Sequence, residues 1–347
     1  WSSDVCSSDL KLRNARGSCC DIMNRGVAVW QGKVYVGSFE GILYALDAKD
    51  GSVRWQVDTI GHDRAYSVTG APQIAGKVVV IGMDGEVGLN WKPEPEFGGY
   101  YAAPYQKHGL DVEILPGGAG TPTVQMIGAG SAEFGIVSGD ELVIARSRGN
   151  DVVGLVAGFQ HDPLSIMVHA SRKAASLGDV FKSGGTVAMQ KGLAFARMLE
   201  KKYGFDKVKI VPSPGGDITV FLTDPMFAQQ CFIMSEPLQA RHAGAKVTVF
   251  PVADTGYNPY TTVLTTSGTY FKNNTGVVEQ MVAAVREGWR SYVDNPKPTN
   301  DKMGQLNPSM DAATFAEVAE EQKPFIENED TQGIDIGSID RKSTRLN

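Results

Sequence analysis

One change of texture, near residues 84–88, constrains this chain more than any other feature, because two fold classes meet there. Residues 11 to about 85 read as short strands broken by turns: VAVW, KVYVGS, ILYALD, SVRWQV and KVVVIG. Gly32-Lys33, Asp50-Gly51 and Gly76-Lys77 supply the turn chemistry between them, and no helical period is visible. From Val87 onward, apolar runs alternate with amphipathic stretches, the pattern of an α/β fold. No Pro- or Ser-rich linker separates the two parts.

In the second part, the runs at 112–115, 134–137, 153–156, 186–189, 208–211 and 247–250 predict buried strands. Leu193, Ala196, Leu199 and Tyr203 fall at three- and four-residue spacing and predict a helix. Val278, Met281, Val285, Trp289 and Tyr292 predict a second helix with one apolar face. A last helix is expected from Asp311, a good cap residue, to a stop before Pro324. The expectation is an α/β architecture with parallel sheets.

Composition narrows the function classes. A hydrophobic share of 42% with 21% charged residues belongs to a globular chain, not a disordered one. Every long apolar stretch is broken by Gly, Lys or Asp, short of the roughly 18 residues a membrane span needs. A net charge of −6 without a basic cluster argues against a nucleic-acid partner. Cys6, Cys19, Cys20 and Cys231 make no CxxC pair and the histidines no HxxxH spacing, so no metal site is expected. No secretory signal is read, since no basic segment precedes an apolar core at the start. Residues 1–10 (WSSDVCSSDL) and 336–347, ending in DRKSTRLN, are patternless and resemble translated sequencing adapter, so both are expected to be non-native ends.

Within residues 11–86, the stretch from Ala45 to Trp55 fits AxDxxxGxxxW: a strand ends at Asp47, a turn carries Gly51, and Trp55 packs across the next strand. Cys19-Cys20-Asp21-Ile22-Met23-Asn24-Arg25-Gly26 and Thr69-Gly70-Ala71-Pro72 follow the same family order. Together they resemble the eight-bladed quinoprotein alcohol dehydrogenases. That resemblance implies a strained disulfide ring at Cys19 and Cys20 and contacts from Arg25 and Thr69 to pyrroloquinoline quinone. The resemblance covers under two blades of eight, and an open propeller leaves an apolar face unburied. We therefore expect an all-β partial propeller fragment with no dehydrogenase activity, no bound quinone or calcium, and Cys19 and Cys20 as reduced thiols.

From Val87 to about residue 335, motifs of a different family run in order. They are Leu89-Asn90-Trp91-Lys92-Pro93-Glu94-Pro95-Glu96-Phe97-Gly98-Gly99-Tyr100-Tyr101, Gly109-Leu110-Asp111-Val112-Glu113, Gly117-Gly118-Ala119-Gly120, Ala132-Glu133-Phe134-Gly135-Ile136 and Glu236-Pro237. This stretch resembles the NMT1/THI5-like substrate-binding proteins, related to the sulfonate-binding SsuA type. The resemblance implies a type II periplasmic-binding-protein fold: two α/β lobes, here about 87–170 with a C-terminal return and about 171–270, joined by a hinge. It also implies a periplasmic location in native relatives, a small organic ligand (a thiamine pyrimidine precursor, a sulfonate or similar) in the interlobe cleft, and an ABC-transporter permease as partner. A monomer without cofactor is expected.

In such folds ligands sit beyond the carboxyl ends of strands, where loops feed helix N-termini with free N–H groups. The candidate residues follow from that. Asn90, Trp91 and Phe97 lie at the first strand–helix turn, where the two aromatics either stack a flat heterocycle or pack in the core. Some pyrimidine-binding relatives carry Asn and His where this chain has Glu94 and Phe97. Ser138, Asp140 and Glu141 open a helix and either cap it or face the ligand. Gln190 and Gly192 form a comparable loop, and Phe159 follows another strand as a wall candidate. Glu236 matches a family glutamate able to accept from an aminopyrimidine, or else makes a surface salt bridge. Tyr257 and Asn258 belong to a cleft wall or a hinge loop.

No GxSxG, HExxH, P-loop or GxGxxG follows a strand, so no catalytic residue is nominated. The eukaryotic THI5 branch uses a cysteine-rich iron motif, whereas Cys231 stands alone in this segment. The reading is therefore a binding protein. The competing reading takes the quinoprotein dehydrogenase as the true identity and the α/β part as the intruder; the relative completeness of the two segments decides against it.

Overall fold

The computed structural model describes residues 27–38, 42–58, 73–75, 78–80, 83–118 and 120–326. The non-native ends expected from sequence lie outside these residues, as do Cys6, Cys19, Cys20, Arg25 and Thr69. Among the described residues two compact units separate: one up to residue 86 with 104–113 and 279–284, the other the remainder from 87.

The first unit begins with an antiparallel meander of β1 (Ala28–Trp30), β2 (Lys33–Gly37), β3 (Ile42–Asp47) and β4 (Val53–Asp58), ordered β1-β2-β3-β4. Asp47 organises its last turn. Its carboxylate accepts from the Lys49 N–H at 2.7 Å and the Arg54 Nε at 2.9 Å, while Gly51 takes the left-handed φ of +72° that closes the reversal. Tyr35, Leu43 and Ala45 are buried, and Trp55 lies opposite Ala45 with its ring 5.8 Å from that of Tyr35. Val53, Trp55 and Val57 nonetheless keep 40% or more of their surface exposed. A small hairpin, β5 (Gln73–Ala75) with β6 (Val78–Val80), follows.

The chain then runs through β7 (Met83–Gly88), α1 (Gly98–Ala102), β8 (Leu110–Leu115), α2 (Thr123–Ala129), β9 (Phe134–Val137), α3 (Gly139–Ser147) and β10 (Val152–Phe159). It continues through β11 (Leu164–His169), α4 (Leu177–Lys182), β12 (Thr186–Ala188), α5 (Ala194–Tyr203), β13 (Lys209–Val211), α6 (Thr219–Thr223), β14 (Phe227–Phe232), α7 (Glu236–His242) and β15 (Val247–Pro251). The C-terminal elements are β16 (Thr261–Ser267), α8 (Gly268–Asn273), α9 (Thr275–Asp294), α10 (Lys297–Leu306), α11 (Ala312–Glu321) and α12 (Lys323–Ile326).

Two five-stranded sheets result, ordered β10-β16-β9-β7-β8 and β13-β12-β14-β11-β15. The expectation of parallel sheets needs correction. β7–β9, β12–β13 and β12–β14 are parallel, but β16 runs antiparallel to β10 and β9, and β11 antiparallel to β14 and β15. The antiparallel strands belong to the two passages of the chain between the sheets. Those passages fall at residues 160–163 and 252–260, so β11 lies in the second sheet and β16 in the first. The lobe limits expected near 170 and 270 move inward accordingly.

The helix readings hold in detail. In α9, Val278, Met281, Val285, Trp289 and Tyr292 are all 2% exposed or less. In α5, Ala196 and Leu199 are buried and Leu193 and Tyr203 pack against the same core. Asp311 caps α11 by accepting from the Thr314 N–H at 2.8 Å. Pro324 falls within the first turn of α12, where its missing N–H costs no helix bond.

Candidate ligand-binding site

The opening loop of the second unit owes its position to glycine. A Cβ on Gly98 would overlap the Tyr292 ring and one on Gly99 the Trp289 indole, so α1 lies against α9 with no side chain between them. Two buried amides fasten the loop from the other side. Asn307 donates to the Pro93 carbonyl at 3.2 Å and Gln322 to the Pro95 carbonyl at 3.0 Å. Held in this way, the segment Trp91–Glu96 lines a cavity of about 450 Å³, a volume suited to a small organic molecule.

Both sheets contribute to that cavity. Asn90, Trp91, Ser138, Asp140, Glu141, Gln190, Glu236 and Tyr257, all nominated from sequence, line it together. Gly192 lines a smaller cavity of about 210 Å³ beside it. Phe97 and Phe159 do not line it: both are fully buried, and Phe159 packs on Trp289 at 6.1 Å. They are core, because the sheet and the α1–α9 contact exclude them from the cleft. Asn258 is also absent from the wall; its Oδ1 accepts from the Asp162 N–H at 2.8 Å and ties one interlobe passage to the other.

Several nominated groups do two things at once. Glu141 accepts from the Ser138 N–H at 3.1 Å and the Ser138 hydroxyl at 2.9 Å, which caps α3 while both residues face the cavity. Tyr257, in the second passage, donates its hydroxyl to the Asp140 carboxylate in the first turn of α3. Lys92 makes an interlobe link, donating to the Gly215 carbonyl at 2.8 Å. The Gln190 N–H donates to the Gln230 side chain at 2.8 Å.

Sequence reasoning did not nominate three wall residues that dominate the electrostatics: Glu94, Glu96 and Asp162. Each is at most 8% exposed, as is Glu236. Burial, reinforced by the nearby Glu236 charge, pushes Glu94 up to about 8, although Lys92 and hydrogen bonds from Trp91 and Asn307 oppose the rise. Burial, together with Glu94 and Glu236, raises Glu96 well above the carboxylate range. Burial also lifts Glu236 to about 7 against the Phe232 N–H, which it accepts at 2.9 Å, and Asp162 to about 6. The charges of Glu236 on Glu94 and of both on Glu96 oppose ionisation of all three glutamates together, and a positive charge brought to this wall favours it. Among the described residues, Lys191 is the only cationic one on this wall. The signal available in sequence was the Pro-Glu-Pro-Glu run, which places two carboxylates in one loop; it was used only as part of the family's opening motif.

Cys231 also reaches the wall, but burial and the Glu236 charge raise its thiol well above the usual value, which leaves it unreactive. No cluster of His, Cys, Asp and Glu able to hold a metal ion occurs among the described residues. None of the described helices is long and apolar enough to cross a membrane.

Two α/β lobes connected by paired passages, with a ligand-sized cavity between them, define the periplasmic-binding-protein class of fold. Solved structures agree. The aliphatic sulphonate binding protein SsuA from Escherichia coli superposes with a TM-score of 0.54 at 15% identity, over 70% of this chain and 79% of that one. The alkanesulfonate-binding protein SsuA from Xanthomonas axonopodis pv. citri, bound to MOPS, gives 0.50 at 11% identity, over 68% and 83%. The chain belongs to the NMT1/THI5 like family, whose model matches residues 94–299.

The N-terminal part has separate relatives. The model described as outer membrane protein assembly factor BamB matches residues 1–90. Quinohemoprotein alcohol dehydrogenase ADH-IIG of Pseudomonas putida is 56% identical over 69 residues, 20% of this chain. The chain spans about 10% of the length of that relative.

Proposed function

We propose that residues 87–335 form the solute receptor of an ABC importer and that the solute is a small amine-bearing or cationic heterocycle of the thiamine-pyrimidine class. The observation that carries this reading is the grouping of Glu94, Glu96 and Glu236, buried in one wall beside the half-exposed indole of Trp91. Carboxyls with retained protons can both donate to and accept from an aminopyrimidine edge, and they stabilise a protonated ring by ionising. The Trp91 face adds stacking and cation–π attraction. A simple sulfonate gains nothing from their ionisation and is repelled by any of them that ionises. Closure of the lobes over the solute, of the kind the Lys92–Gly215 bond stabilises, is the form a permease would recognise. This function is binding without chemistry, and native relatives would carry it out in the periplasm.

Thermal unfolding of the chain with 4-amino-5-hydroxymethyl-2-methylpyrimidine or with ethanesulfonate tests the reading. A ligand of the native state adds RT ln(1 + [L]/Kd), about 2.7 kcal/mol at 100 times Kd. The aminopyrimidine is expected to raise the midpoint and ethanesulfonate to leave it in place. The opposite pattern sinks the proposal.

A further inference from the structure

Among the described residues, six carboxyl groups line the larger cavity, and five of them already have protein partners. Glu141 is held by Ser138 and Asp140 by Tyr257. Asp162 accepts from the Leu164 N–H at 3.0 Å and the Thr261 hydroxyl at 3.1 Å. Glu236 accepts from the Phe232 N–H, and Glu94 is bonded by Trp91 and Asn307. Glu96 is the exception. It is 7% exposed, and its carboxyl makes no hydrogen bond or ion pair with any described residue. The interior does contain sealed polar atoms without partners, Trp289 Nε1 and Gln322 Oε1 among them, but the Glu96 oxygens are not of that kind. They open on the cavity.

The backbone holds this carboxyl in place. Glu96 is the middle residue of a 3₁₀ turn, Pro95–Phe97, whose first carbonyl is gripped by Gln322 and whose last ring is fully buried. The Phe97 N–H closes the turn on the Glu94 carbonyl at 2.9 Å. A polar group buried without a partner lowers stability, and an ionised one lowers it further. No group of the described protein offsets that loss at Glu96, so the offset has to come from what enters the cavity. Both oxygens are open, and a carboxyl in that state makes two parallel bonds to a planar partner. The complementary group is an amidine edge, a ring nitrogen beside an exocyclic amino group. A neutral Glu96 donates its O–H to the ring nitrogen and accepts from the amino group; an ionised one accepts from both nitrogens of the protonated edge. Either protonation state gives the same pair of contacts. The indole of Trp91 lies on the same wall, placed to stack on such a ring.

We propose that Glu96 is the specificity-determining residue of this cavity, the carboxyl that holds the solute by an amidine edge, with Glu94 and Glu236 in supporting positions. The class of solute rests on the function proposed above; the role of Glu96 rests on its open, unpartnered carboxyl. A residue with this role lowers the stability of the free chain and raises its affinity for the solute.

The test compares the full chain with Glu96→Gln, which keeps one donor and one acceptor, and Glu96→Met, which keeps neither at similar length. Calorimetric titration uses three probes: 4-amino-5-hydroxymethyl-2-methylpyrimidine, its analogue without the 4-amino group, and benzamidine. Thermal unfolding of the three ligand-free proteins accompanies it. Relative to the native chain, Glu96→Gln is expected to bind the aminopyrimidine about tenfold more weakly and Glu96→Met about a hundredfold. Removing the 4-amino group should weaken binding to the native chain about tenfold and leave binding to Glu96→Met unchanged. The free Glu96→Met protein is expected to unfold at a higher temperature than the native chain; a structural role for Glu96 gives the reverse. A lower midpoint, or equal aminopyrimidine affinity in all three proteins, overturns the assignment, and equal affinity leaves the receptor function standing. If the native chain binds benzamidine through Glu96 but no aminopyrimidine, Glu96 keeps its role and the pyrimidine class is withdrawn. Binding of neither probe overturns both.

Discussion

Glu236 occupies the first position of α7, buried beside Cys231 and in the electrostatic reach of Glu94. Replacing it with Gln keeps the shape and removes an ionisable group. Glu236→Gln is expected to weaken an aminopyrimidine by about tenfold, the cost of a charge-assisted hydrogen bond, and to lower the proton affinity of Glu94, since a repelling neighbour is gone. Calorimetric titration reads the first effect and carboxyl NMR the second; unchanged affinity would mean that Glu236 faces no ligand. At this scale the sequence was informative where a residue type is unusual for its setting. Trp91 stood out as an aromatic at a strand–helix turn, and Glu236 because it matches a glutamate of the family that this stretch resembles. Glu94, Glu96 and Asp162 did not, because their burial depends on Asn307, Gln322 and the second passage between lobes, which no local pattern contains.

Between elements, the contact of α1 with α9 sets the posture of the binding loop. Ala is a better helix former than Gly by about 1 kcal/mol, so propensity alone favours Gly99→Ala. The overlap with the Trp289 indole opposes it, and overpacking of a close contact costs about 1–3 kcal/mol. The net expectation is a loss of stability by about 1 kcal/mol, visible as a lower denaturant midpoint, with weaker ligand binding as the loop shifts. A stabilised variant would show that α1 can move away freely. The helices themselves were legible, since an apolar stripe at 3.6-residue spacing, such as that of α9, suits a half-buried helix and no strand. Six of the strands were legible as apolar runs, but β11, β14 and β16 were not among them. The direction of β11 and β16 was not legible either, since only their long-range partners make them antiparallel.

For the molecule as a whole, the buried carboxyls give a pH dependence of definite sign. Glu94 at about 8, Glu236 at about 7 and Asp162 at about 6 hold protons more tightly folded than unfolded. Their contribution to stability is therefore full below the ordinary carboxylate range and is lost as pH rises toward about 8. The thermal midpoint of the free chain should fall between pH 5.5 and 8. A cationic ligand reverses the balance by letting these groups ionise, so protons leave on binding. Affinity should strengthen over the same interval for a ligand that stays protonated, and the calorimetric enthalpy should vary with the ionisation heat of the buffer. An enthalpy independent of buffer contradicts this account.

The amides of Asn307 and Gln322 have a consequence for biosynthesis. They grip carbonyls of Pro93 and Pro95, more than 200 residues upstream. A ribosome extends the chain by about 5–20 residues each second, so the loop emerges many seconds before its fasteners exist. During that interval the nascent chain holds the indole and the acidic residues of the loop without their final posture. Capacity to retain a solute thus arrives only with the closing helices, and a product cut short before residue 307 would lose it.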